Sequence, residues 1–245
     1  MRRYIRADLY RILRRIKHWV FIAIFALIAY ISFDPFGSES TGTVNYDVMM
    51  SMVKWMPAVL GFVEILFVFG DDFRGKSSQI AIGIGIDRFK VVLVKLIDMV
   101  IVYSIDLAGL TLFSVALCLP TKGRLPLQLF WSLLAAELIS ILACAAFTAL
   151  AMIIMFAAQD ITLGLIIYLL LATGLLKKLI TLLASLGKIS RFHLDTYTLS
   201  NCVSVLRARA LLGSFNIVTF LGILIYIAIG IGATYAVYRK KELEF

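Results

Sequence analysis

Charge is scarce in this chain. Only 16% of its 245 residues are Asp, Glu, Lys or Arg, where about 25% is usual for soluble domains. So few polar side chains cannot cover a soluble globule, and a chain this apolar is not disordered either. Cysteine is equally sparse. Cys118, Cys144 and Cys202 are scattered and form no CxxC, which excludes a disulfide framework and a cysteine zinc site. The two histidines, His18 and His193, stand far apart, and no HExxH or Ser/His/Asp arrangement is visible. What is abundant is apolar: 62% of the residues belong to the set AVILMFWYC, and the mean hydropathy is +0.97. These numbers predict an all-α integral membrane protein, a single membrane domain over residues 1–245 with no internal repeat.

The formal charge of +9 is read in a membrane chain as cytoplasmic flanks and contact with anionic lipid, not nucleic acid. Residues 2–18 carry seven Lys and Arg and one acid. Ile5, Leu9, Ile12 and Ile16 recur at helical spacing there, so residues 1–18 read as an amphipathic interfacial helix or as a basic flank of the first span. A cleavable signal peptide is not expected, because no small-residue cleavage site follows. His18, beside Trp19, reads as an interfacial anchor.

Six spans are predicted: about 19–33, 51–70, 91–118, 127–157, 161–182 and 215–238. The first is short for a ~30 Å hydrocarbon core and is expected to borrow a turn from the helix before it. The loop 34–47 is acidic and has no Lys or Arg, as an external loop should be. The N-terminal arm, the 71–90 loop and the basic Arg239-Lys240-Lys241 put fourteen Lys and Arg on one side, against nine on the other. That places both termini in the cytoplasm and residues 183–213 outside, as short external or re-entrant helices.

The segment 71–90 is the most informative. Gly83 and Gly85 belong to no GxGxxG, and Gly75-Lys76-Ser77 lacks the first glycine of a phosphate loop. A short apolar element bracketed by charges suits a groove on another protein, or else the bilayer surface. Asp72 closes the second span. Arg74, a small polar run, an apolar stretch and Asp87-Arg88-Phe89-Lys90 then lead into the third. This pattern, with the basic N-terminal helix, six spans and the basic C-terminal end, resembles the ABC-2 type permeases. The short bacterial forms of bacitracin resistance and lantibiotic immunity are the most similar.

The resemblance implies a coupling helix in 71–90 that docks on a separate ATPase subunit. Asp72, Arg74 and Lys76 would frame its start, and Asp87, Arg88 and Lys90 its end. Ile80, Ile82, Ile84 and Ile86 would fill the partner's groove. Gly83 and Gly85 are poor helix formers, so the element is expected to be short or broken. The resemblance further implies a second permease copy or a related permease, no cofactor of the chain's own (ATP and Mg being bound by the ATPase), and an antimicrobial or amphipathic peptide or lipid-like substrate.

Ionisable residues within spans cost at least about 2.5–3.5 kcal/mol each at a helix centre. Glu64, Asp98 and Glu137 are therefore candidates for a substrate path, or else for polar bonds between helices. Asp98 and Glu137 fall near mid-membrane and could meet, Lys95 could pair with Asp98 along one helix face, and Asp106 is expected near the outer interface. An intramembrane protease or lipid-modifying enzyme is the alternative function, and a membrane adaptor or assembly protein a third. The enzyme would need a catalytic pair, which is not visible here, whereas nothing in the sequence excludes the adaptor.

Overall fold

The computed structural model describes residues 2–32, 42–75, 77–83, 85–118, 127–186 and 197–240. Among these there are helices and no strand. They are α1 (Arg2–Leu13), α2 (Ile16–Ser32), α3 (Gly42–Arg74), α4 (Ser77–Gly83), α5 (Arg88–Cys118), α6 (Leu127–Ala158), α7 (Ile161–Ala172), α8 (Leu175–Leu186), α9 (Leu199–Leu211) and α10 (Ile217–Lys240). Three stretches are long and apolar enough to cross a membrane: Tyr46–Phe73, Phe130–Ala158 and Ile217–Lys240. The pair α7 and α8, bent by 71°, makes a fourth if it is one broken span. The fold fits an all-α membrane protein.

α2 has 17 residues, about 25 Å at 1.5 Å per residue, and starts at Ile16. The N-terminal basic stretch is thus not one helix. It breaks after Leu13, and the expected apolar stripe divides: Ile12 is buried in the main core while Ile16 is exposed.

α6 lies at the centre and touches α3, α5, α7, α9 and α10. Its buried Ala143, Ala146, Ala149 and Ala151 explain why. Without side-chain bulk, several helices can approach one helix at once. The α10 backbone comes close to that of α6, where a Cβ on Gly230 would stand 2.7 Å from the Ala149 carbonyl carbon.

α3 contains Pro57, which has no N–H and so leaves the Val53 carbonyl without its usual helical donor. In an apolar medium that carbonyl must find another. Ser140 on α6 donates its hydroxyl to Val53 O at 3.2 Å, and the same hydroxyl is 2.9 Å from the Tyr103 phenol of α5. Tyr168 of α7 donates in turn to the Pro57 carbonyl. Four helices are thereby joined at one proline. Ser140→Ala would strand both the Val53 carbonyl and the Tyr103 hydroxyl, at a cost of about 1–3 kcal/mol. The expected result is a lower thermal midpoint of the purified protein without loss of helix by circular dichroism.

Candidate functional site

Three places gather the chemistry-bearing side chains. The first is the connection between α3 and α5. α4 is 7 residues long and ends at Gly83. The chain then turns through Gly85, whose φ of +96° suits glycine. Ile80 and Ile82 do not share a face, because residues two apart on a helix point nearly opposite ways. Ile80 is 58% exposed, whereas Ile82 turns inward onto the main core. Ile86 is half-buried. Ile84 and Lys76 lie outside the described residues, as does the side chain of Arg74.

The charges that were expected to frame a docking surface separate in the same way. Asp87 and Lys90 are exposed, and Asp87 accepts from the Phe89 amide at the start of α5. Arg88 is committed inside the chain. Its guanidinium donates to the carbonyls of Tyr238 and Arg239 at 2.7 and 2.9 Å, and lies over the Tyr238 ring. The last carbonyls of α10 lack intrahelical donors, and a cation is the natural partner for a helix C-terminus.

Asp72 also belongs to the interior, in the second cluster. Lys95 of α5, 1% exposed, bonds Asp8 of α1 at 2.5 Å and pairs with Asp72. Arg11 reaches Asp72 at 3.1 Å and Asp8 at 3.3 Å, and Arg15 pairs with Asp71. Asp98 is wholly buried against Asp8. The expected Lys95–Asp98 pair is therefore replaced by pairs across helices. Docking α1 onto α5 supplies Lys95 with better partners than its own helix does. Burial in this cluster pushes the Tyr4 phenol of α1 up to about 12.

Deeper along α2 and α5, His18 is fully buried and stands 3.7 Å from Glu64 and 3.2 Å from Asp106. It is buried among helices rather than exposed as an interfacial anchor would be, and Asp106 is buried with it. The signal was present in the register, since His18 heads the stripe Ile22, Phe25 and Ala29 that α2 turns inward. Lys95, Asp98, Val102 and Asp106 recur on α5 in the same way. One nitrogen and two carboxylates with donor atoms within 4.8 Å are a set a divalent transition ion can use. The imidazole, however, offers a different nitrogen to each carboxylate, whereas one ion would need both carboxylates at the same nitrogen. The arrangement is an imidazole set between two carboxylates, a poor match to a single metal ion. Glu137 lies apart from Asp98, beside Thr111 of α5.

The third place is a cavity of about 610 Å³ at the break between α7 and α8, lined also by α3, α6 and α9. Gly174, with φ +72°, makes the break. Ser200 of α9 donates at 2.8 Å to the Leu171 carbonyl, which also accepts from the Gly174 amide at 3.2 Å. Lys54, Lys177, Lys178 and Arg207 line the cavity, together with Trp55 and Phe147. Sequence reasoning missed it, because its cations come from three separate segments. The chain matches no family model and no curated protein.

Proposed function

We propose that the chain is the membrane subunit of an ATP-driven exporter, a six-span permease without its own ATPase. α2, α3, α5, α6, the α7–α8 pair and α10 would be the spans, with both termini in the cytoplasm. The observation that carries this reading is α4: a short helix between the charged ends of two long ones, presenting one large apolar side chain, Ile80, outward. An exposed apolar residue amid exposed Asp87 and Lys90 is the kind of anchor that dominates a docking surface, with the charges forming its rim. Closure of the ATPase would move α4, and through α3 and α5 the rest of the bundle. A second permease copy would complete the path, and an amphipathic peptide or lipid-like molecule would be the cargo.

The test is purification of the tagged permease from its native membrane. A nucleotide-hydrolysing subunit should accompany it, and the permease alone should hydrolyse no ATP. Ile80→Asp should abolish that association while insertion stays normal, whereas Lys90→Ala, at the rim, should weaken it only slightly. Intrinsic ATP hydrolysis, or full association in Ile80→Asp, would overturn the assignment.

A further inference from the structure

The cavity at the α7–α8 break carries a charge imbalance among the described residues. Four cations line it, and no described residue that lines it is acidic. Lys177 donates to the Asn201 side chain at 2.7 Å, a neutral partner that leaves its charge uncancelled. The Arg207 Nε is buried and has no hydrogen-bond partner among the described residues. Burial also lowers the Arg207 pKa, which means the site disfavours this cation unless an anion joins it. A guanidinium in that position is matched by phosphate or carboxylate oxygens.

The remaining walls say what the anion is attached to. Trp55, Phe147, Val203 and Leu182 give the cavity an apolar side. Beyond its rim, α8 also exposes Leu175, Leu176 and Leu179. α8 turns by 71° from α7, so that Lys177 and Lys178 line the cavity while these three leucines stand outside it. An anion that left acyl chains along those leucines would satisfy both surfaces, whereas a free anion would use only the first. Lys54 and Arg74 are twenty residues apart, so the cavity lies about 30 Å along α3 from α4.

We infer that this cavity binds the phosphate headgroup of an anionic phospholipid, with Arg207, Lys177 and Lys178 on the phosphate and the acyl chains along α8. The inference needs the chain to sit in a membrane but not to be driven by an ATPase.

The chain has three tryptophans, and Trp55 is the one in the cavity, so Trp19→Phe and Trp131→Phe leave it as a single reporter. In lipid nanodiscs, a minor fraction of brominated phosphatidylglycerol should quench Trp55 well beyond the same fraction of brominated phosphatidylcholine. Each cation near an anionic lipid surface is worth about five-fold in affinity. Arg207→Gln should therefore cut the preference by about that factor, Lys178→Gln similarly, and Arg207→Lys should keep most of it. Equal quenching by the two lipids would overturn the site, as would an unchanged preference in Arg207→Gln. Relief of the quenching by millimolar inorganic phosphate would show a free-anion site and overturn the lipid assignment. Arg207→Lys, which keeps the charge, separates loss of binding from loss of fold.

Discussion

Lys95→Met should lower the thermal midpoint of the purified protein more than any other single change to its charged residues. Lys95 is almost fully buried and meets Asp8 and Asp72 from two other helices. Removing one member of a buried ion cluster leaves the others desolvated and uncompensated, which costs about 3–5 kcal/mol. Arg11 would still reach both carboxylates, but the buried ammonium between them would be gone. The damage should begin at α1, whose attachment to α5 runs through Asp8. Trypsin should accordingly cut at Arg6 and Arg14, both exposed, before it cuts elsewhere. Adding Asp8→Asn to Lys95→Met should restore part of the midpoint, because one stranded carboxylate is gone. An unaltered midpoint in Lys95→Met would show that the cluster contributes no stability.

Gly230→Ala is expected to have the second large effect, from one added methyl group. Its Cβ would lie 2.7 Å from the Ala149 carbonyl carbon and 2.8 Å from the carbonyl oxygen. Backbone cannot swing aside as a long side chain can. α10 would therefore have to retreat from α6, its principal neighbour, at about 1–3 kcal/mol. Beyond α6, α10 packs mainly on α9 and α5, and only 17% of its most apolar window is buried. Two glycines of the same helix supply the control. A Cβ on Gly222 or Gly232 meets nothing within 4 Å. Alanine there should be neutral or slightly stabilising, because it is the better helix former by about 1 kcal/mol. Equal midpoints for the three variants would remove the close α6–α10 approach from the account of stability.

The helices were legible because their signals are local. The segments expected at 91–118, 127–157 and 215–238 form the helices Arg88–Cys118, Leu127–Ala158 and Ile217–Lys240, of which the last two contain stretches long and apolar enough to cross a membrane. The break inside 161–182 was less visible, because Leu and Ile continue on both sides of Thr173-Gly174 and composition does not report a bend. The partners of the polar residues were hidden for a different reason. His18 beside Trp19 looks interfacial in one dimension, and only the packing of α2 against α3 and α5 brings Glu64 and Asp106 to it. Arg88 looked free because its acceptors are carbonyls 150 residues further on, which no charge pattern displays. Ile80, Ile82, Ile84 and Ile86 alternate as a strand would, and the helix that forms divides the first two between surface and core.

The bond from Arg88 to the last carbonyls of α10 has a mechanical consequence. A connection anchored only by its own backbone absorbs a displacement as slack. Here the far side of the connection is bolted to α10, and α10 is seated on α6 at Gly230. A shift of α4 that reached Arg88 would therefore be felt at α10 and α6 as well as at α5. α6 in turn lines the cavity about 30 Å away along α3. Removing the Arg88 guanidinium would take both of these bonds to α10 from the connection.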